Sequence, residues 1–341
     1  MADSLPFLSK KAAQREITFL ASFVLAALMN TKKPVVDLKI GGAMTVNELI
    51  SQMSNCGGFT AKKLADAVDI TEKMLKKKDC TVFLSFPACI MATGTRGVII
   101  ELVKRGLVDV IITTCGTLDH DLARTWKKYY HGEFIMDDAK LYDQGINRLG
   151  NVLVPNSSYG IVLEKKMQPM LKKILKGRNS ISTRELIDQV GAMVDDESSL
   201  LYWCHKQNVP IFVPGITDGS FGSQVWMYWQ EHRDLHIDLF QDEQDLMDMV
   251  FDAEESGAIM VGGGISKHHT IWWNQFRGGL DHAVYLTTAE EYDGSLSGAR
   301  VREAVSWGKV KAAADYMTVE GDATITLPII LSAVLERLDS Q

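Results

Sequence analysis

The sequence predicts an α/β fold: a mostly parallel sheet with helices packed on both faces. Three observations carry that reading. Short apolar runs alternate with segments of helical period through most of the 341 residues. The strands are separated by helical stretches of roughly 10–15 residues, the spacing of a parallel sheet. Glycines and small polar residues cluster where strands end, at Thr113-Thr-Cys-Gly116, Pro214-Gly-Ile-Thr-Asp-Gly-Ser220, Gly262-Gly-Gly264 and Thr287-Thr-Ala-Glu290. Such sheets bind ligands at the carboxyl ends of their strands, so the four clusters imply one shared crevice.

Taken in order, the first 75 residues read as mostly helical, with a Gly- and Asn-containing loop at Asn55-Cys-Gly-Gly58. Leu64 and Val68 fall on one face of a helix running towards Lys78. Cys80–Phe86 reads as a buried strand, Gly97–Gly106 as a helix stopped by glycine, and Val108–Thr114 as the next strand. A helix follows near Asp119–Tyr130. Gly145–Gly150 leads irregularly into Asn151–Pro155. Two helices come next, the second opened by the capping-box pattern Ser182-Thr-Arg-Glu185. The alternation then resumes, with strands at Val209–Val213, His236–Phe240, Ala258–Val261 and Ala283–Thr287. Helices are expected at Gly222–Glu231, Asp242–Glu255, His268–Phe276 and Leu327–Leu338. Neither an internal repeat nor a low-complexity linker stands out, so a single domain spanning 1–341 is expected, with residues 1–75 as its helical N-terminal part.

The charged fraction is 23%, the hydrophobic fraction 46% and the net charge -7. That balance fits a soluble globular chain and argues against nucleic-acid binding by bulk electrostatics. Five scattered cysteines without a C-x-x-C pair fit reduced thiols in a cytoplasmic protein better than disulfides or a zinc site. The apolar run Ile17–Met29 is shorter than the roughly 20 residues a membrane span needs, so a buried helix is expected there and no membrane association.

Residues with chemical potential concentrate between Ala258 and Lys309. Gly262-Gly-Gly264 lacks the G-x-G-x-x-G spacing and reads equally as a ligand-approach turn or a tight strand-to-helix connection. His268 and His269 point about 100° apart on a helix, and no carboxylate partners are spaced for zinc, so no metal is expected. Lys309 is either a surface lysine or a nucleophile whose ammonium is destabilised beside Trp307, with Glu303 to exchange protons. Trp272 and Trp273 read as core or as a ligand cage.

Several blocks of this sequence resemble deoxyhypusine synthases. They are Glu303-Ala-Val-Ser-Trp-Gly-Lys309, Gly262-Gly-Gly-Ile-Ser-Lys-His-His269, Asp293-Gly-Ser295 with Ser297-Gly-Ala-Arg300, Thr217-Asp-Gly-Ser220 and Gly145-Ile-Asn-Arg-Leu-Gly-Asn-Val-Leu-Val-Pro-Asn156. The similarity runs from about Lys33 to the C-terminal helix, without the long N-terminal extension of eukaryotic members. The resemblance implies a Rossmann-like domain that binds NAD and assembles as a homotetramer with active sites at dimer interfaces. It implies oxidation of spermidine and passage of the aminobutyl group, as an imine on Lys309, to a lysine of translation initiation factor 5A. By the same resemblance Glu303 and His268 hold and deprotonate the amine, and Trp307 walls the pocket. Gly294 and Ser295 belong to the substrate-side motif. Thr114, Cys115, Gly116, Asp218, Gly263, Thr288, Ala289, Asp322 and Ala323 fall on or beside cofactor-contacting positions.

The sequence also departs from that pattern. Leu296 and Ser223 stand where the family has aspartates that contact the polyamine, and Trp272 stands at an Asn position. Each lost charged hydrogen bond is worth roughly 1.5–3 kcal/mol, whereas an indole face offers an ammonium about 0.5–2 kcal/mol. Ala88-Cys-Ile-Met-Ala92 replaces a Ser- and Asn-containing stretch, and His120 replaces a Glu for which the adjacent Asp119 could substitute. Two alternatives therefore accompany deoxyhypusine synthesis. One is a related transferase with an altered amine donor or acceptor, of the homospermidine synthase type. The other is a non-catalytic NAD- or polyamine-binding protein.

Overall fold

The computed structural model describes residues 33–340. Among them, eleven strands follow in chain order: β1 Cys80–Phe86, β2 Val110–Thr113, β3 Tyr130–His131, β4 Ile146–Leu149, β5 Val152–Pro155, β6 Ser180–Ser182, β7 Ile211–Phe212, β8 His236–Asp238, β9 Glu255–Val261, β10 Leu280–Thr287 and β11 Val310–Glu320. Six of them form one sheet in the order β11-β10-β9-β1-β2-β7. Every neighbouring pair is parallel. Counted along the chain this is the doubly wound order, and it reverses between β1 and β9, where such folds open a crevice beyond the strand ends.

The period of two along each strand divides the core. Val82, Leu84 and Phe86 of β1, with Ile259, Val261, Val284 and Leu286, join a buried cluster with Leu64, Val68, Ile99 and Leu331 of the flanking helices. The alternate residues Phe83, Ala258, Met260, Ala283 and Tyr285 face the other way, against Leu246, Val250, Ile271 and Val301. Helices thus cover both faces, which explains why these strands read as continuous apolar runs.

Several boundaries differ from the sequence reading, for identifiable reasons. His236–Phe240 is not a strand of the main sheet. Its first three residues form β8, which pairs with β6 in a separate two-stranded sheet. Asp238 then caps a helix, Leu239–Asp252, by accepting a 3.0 Å hydrogen bond from Gln241 N–H. The helix expected near Asp119 starts at Cys115, immediately after β2. Ser182 caps its helix as expected, accepting from Glu185 N–H. A further helix, Leu200–Gln207, completes the middle region.

The long strand β11 has no counterpart in the sequence reading. Its run of alanines and Asp315 breaks the apolar pattern, and its register with β10 jumps: Leu280 pairs with Val310, but His282 pairs with Asp315. The run Ile17–Met29 lies outside the described residues. Among the described residues no helix is long and apolar enough to cross a membrane.

Candidate active site

On the face of the sheet carrying Tyr285, a cavity of about 310 Å³ opens between the helix Gly264–Asn274, after β9, and the helix Val301–Ser306, before β11. It brings together Lys309, Glu303, His268, Trp307, Trp272 and Leu296. Lys309 is the last residue before β11. Its N–H donates to Ala304 C=O at 3.0 Å and its C=O accepts from Leu280 N–H at 3.1 Å, so the backbone is fixed on both sides. The side chain is buried, with Nζ 5.3 Å from the centroid of Trp307 and 5.8 Å from that of Trp272. Both distances allow cation–π attraction. His268 stacks on Trp272 with ring centroids 5.7 Å apart. Burial, and next the Lys309 charge, hold its imidazole below the usual histidine range, which favours the neutral, proton-accepting form. Trp307 and Glu303 are exposed at the cavity edge.

Two residues of this cavity escape the sequence reading. Lys267 is almost fully buried, and its Nζ donates to Leu296 C=O at 2.7 Å and Ala299 C=O at 2.9 Å. It sits 3.9 Å from the Tyr285 ring centroid, and burial draws its pKa down to about 7. Although it stands in the block Gly262–His269, a lysine on a helix reads as solvated, so its burial is not legible in the sequence. Tyr285 reads as an ordinary strand residue, yet its buried hydroxyl has no hydrogen-bond partner. Its side chain lines the cavity, whose single carboxylate, Glu303, faces the basic groups of Lys267, Arg300 and Lys309.

The loop after β10 forms one wall. Gly294 takes a left-handed φ of 73°, which favours glycine there. Ser295 N–H donates to Asp293 Oδ1 at 2.7 Å, and Ser295 Oγ accepts from Gly298 N–H at 3.2 Å. These bonds shape the turn that presents Leu296. Ser223 lies elsewhere, exposed on the helix Ser220–Glu231, with Oγ donating to Gly219 C=O at 3.0 Å.

The other predicted residues lie along the carboxyl ends of the strands, and the segments there pack closely. A β-carbon on Gly116 would lie 2.8 Å from Ala88 Cβ, and one on Gly219 would lie 2.7 Å from Cys115 Sγ. One on Gly263 would lie 2.5 Å from Ser297 Cα, so only glycine admits this approach of the β10 loop. Thr114 precedes the helix Cys115–Trp126 and accepts from Ala88 N–H at 3.2 Å. Cys115 is buried, and its thiol is pushed up to about 12 by burial. Asp218 is exposed, as is Thr288, and Ala289 N–H donates to Thr287 Oγ1. Asp322 caps the helix Ala323–Asp339, accepting from Thr324 N–H at 2.8 Å.

Asp119 is committed differently from its expected role as a stand-in for the missing Glu. It is fully buried, accepting from Ser220 N–H at 2.8 Å, Phe221 N–H at 2.6 Å and Tyr159 O–H at 2.7 Å. It therefore serves the N-terminus of the helix Ser220–Glu231. No group of three or more His, Cys, Asp or Glu positioned for a metal occurs among the described residues.

A model of the family described as deoxyhypusine synthase matches residues 48–334. A protein of Thermoplasma volcanium named as a probable deoxyhypusine synthase is 56% identical over 303 residues, covering 89% of this chain and 97% of its own length. One of Thermoplasma acidophilum with the same name is 55% identical over 303 residues, with the same two coverages. A crystal structure from Entamoeba histolytica that carries the family name superposes with a TM-score of 0.63 at 20% identity, covering 89% of this chain and 97% of that one.

Proposed function

This chain belongs to the deoxyhypusine synthase family, a family of transferases, and from that premise we propose that it moves the aminobutyl group of spermidine onto a lysine of translation initiation factor 5A. The observation that carries the reading is the buried Lys309 in a cavity shared with His268, Glu303 and Trp307. NAD, when bound, supplies the hydride acceptor for dehydrogenation at the carbon beside the secondary amine of spermidine, and later the hydride that reduces the product.

The chain's own residues account for the remaining chemistry. Lys309 must attack as the free amine, so a neighbouring base has to relieve it and the substrate amine of their protons. His268, kept neutral by burial, takes the proton from the amine, while Glu303 holds the positive end of the substrate. Attack of Lys309 Nζ on the substrate imine carbon forms a C–N bond. Expulsion of 1,3-diaminopropane, carrying away a proton, leaves the aminobutyl group as an imine on Lys309. The acceptor lysine then displaces Lys309 at the same carbon, and reduction of the new imine gives deoxyhypusine. Exposed Trp307 at the cavity edge leaves room for an acceptor lysine to enter.

The crevice fits a dinucleotide. Strand order reverses between β1 and β9, and backbone segments that only glycine allows converge there. Thr114, Gly116, Asp218, Gly263, Thr288, Ala289, Asp322 and Ala323 would hold it, and a cytoplasmic homotetramer is the assembly proposed. Protein, NAD, labelled spermidine and the factor should transfer label to the factor, and borohydride should trap an imine mapped to Lys309 and lost in Lys309→Ala. Absence of label at saturating spermidine would reject this donor and acceptor.

A second reading keeps the chemistry and changes the amine. It is favoured by Leu296 in the cavity wall, where Glu303 is the single carboxylate. Incubation with putrescine, agmatine and spermidine separates the two readings: a free polyamine product, with none on the factor, selects the second.

A further inference from the structure

The cavity proposed for the amine holds one carboxylate, Glu303, against several basic groups. Two of those groups are already engaged. Lys267 Nζ donates to the carbonyls of Leu296 and Ala299. Arg300 Nη1 donates to Gly298 C=O at 2.8 Å and Ala289 C=O at 3.1 Å, and its Nε lies 3.4 Å from Glu320 Oε1. A second ammonium entering beside Glu303 finds no further carboxylate in the lining, and the negative surfaces left to it are aromatic faces. The ring of Tyr285 is taken by Lys267 Nζ, 3.9 Å from its centroid. The indoles of Trp272 and Trp307 remain.

Both indoles already hold a cation within reach, Lys309 Nζ, at 5.8 Å from the Trp272 centroid and 5.3 Å from that of Trp307. Trp272 follows His268 by four residues on the helix Gly264–Asn274, so the two side chains share one face of it. The indole stacks on the imidazole with 25° between the planes and meets the Phe276 ring edge-on, with centroids 5.8 Å apart. Held by these two rings and still 42% exposed, Trp272 can meet a ligand without rearrangement. Leu296, in the same lining, adds apolar surface. An ammonium bound by a carboxylate loses its N–H donors when it is methylated. One bound over indole faces keeps its attraction, and methyl groups lower the cost of drawing it out of water.

On the reading of this cavity as the amine site, we propose that Trp272 is a specificity-determining residue. With Trp307 it takes a terminal ammonium of the substrate over its indole face, so the site admits amines with an N-methylated end as readily as those with a primary one. The ligand class this adds is a linear alkylamine with a methylated ammonium at one end and a free amine at the other.

Titration calorimetry of the full chain tests this, with NADH present so that the amine is not oxidised. The probes are spermidine, putrescine and forms of each trimethylated at one terminal nitrogen. At least one trimethylated form should bind within about threefold of its parent or more tightly, and Trp272→Leu should weaken that form by roughly 2–30-fold. Trp272→Phe, which keeps an aromatic face, should lose less than Trp272→Leu. NADH affinity and melting temperature should stay near native in both variants, since Trp272 is exposed at the cavity. Trimethylated forms that all bind more than about threefold weaker than their parents would overturn the inference and leave the amine reading intact. So would a Trp272→Leu variant that binds them as the native chain does. Binding of no amine by the native chain would overturn the reading of the cavity, and the inference with it.

Discussion

Lys267 and Lys309 line one cavity and do different work in it. Lys267 stitches the helix after β9 to the loop after β10 through the carbonyls of Leu296 and Ala299. An uncharged amine still has two N–H groups, so both bonds survive deprotonation. Its pKa falls to about 7 in the folded chain, against about 10.4 unfolded. Between those values the unfolded chain holds the extra proton, so stability rises with pH, by at most about 1.4 kcal/mol per unit. Urea melts at pH 7, 8 and 9 should show a larger rise for the native chain than for Lys267→Met, and parallel rises would reject the assignment. Lys267→Met also leaves two buried carbonyls without a donor, a loss of about 1–3 kcal/mol for each. His268 titrates below the usual histidine range because it is partly buried and faces Lys309. The acid limb of kcat/KM should therefore lie below pH 6.5 and disappear in His268→Gln; an acid limb unchanged by the substitution would exclude His268 as the base. Lys309, Glu303, Trp307 and His268 were legible because they stand in family motifs. The roles of Lys267, which stands in the same block as His268, and of Tyr285 were not, since burial alone separates a structural lysine from a solvated one, and a cavity-facing tyrosine from a core one.

At the scale of elements, one carboxylate joins two helices. Asp119, on the helix Cys115–Trp126, supplies the cap that the helix Ser220–Glu231 lacks from its own N-cap residue, Gly219. Replacing it leaves two buried N–H groups and a tyrosine hydroxyl without an acceptor. Asp119→Ala should cost at least about 3 kcal/mol of unfolding free energy by urea titration; a loss below about 1 kcal/mol, the size of one ordinary hydrogen bond, would show that the cap is dispensable. From sequence, Asp119 could only be compared with a cofactor carboxylate, because its partners lie about 100 residues downstream. The strands β1, β2, β9 and β10 were legible because both faces are buried and their central residues are apolar or small. β11 escaped because its early residues Ala312 and Ala313 are exposed, and the strand read at His236–Phe240 stops at Asp238 because that residue caps the next helix.

At the scale of the whole molecule, the parallel sheet divides labour between its ends and one face. The strand ends carry the segments proposed for the dinucleotide, and the face beneath Tyr285 carries the cavity proposed for the amine. Parallel alternation made the sheet legible, whereas the cavity, built by two crossover connections, depends on packing that local periodicity does not encode. Large apolar side chains remain exposed in the described chain, among them Phe134, Ile135, Tyr142 and Tyr292, a pattern that fits burial against further copies. Sedimentation should give the mass of four 37.9 kDa chains, and a monomer at working concentration would reject the proposed assembly.

The register jump between β10 and β11 has a bearing on how such a protein can diverge. Three extra residues are absorbed directly after Lys309, before the ladder resumes at Asp315. An indel in the preceding crossover, which bears Glu303 and Trp307, can be taken up in that slack without shifting the pairing of His282 through Thr287. Descendants can thus re-cut the chamber proposed for the amine while inheriting the strand ends proposed for the nucleotide unchanged.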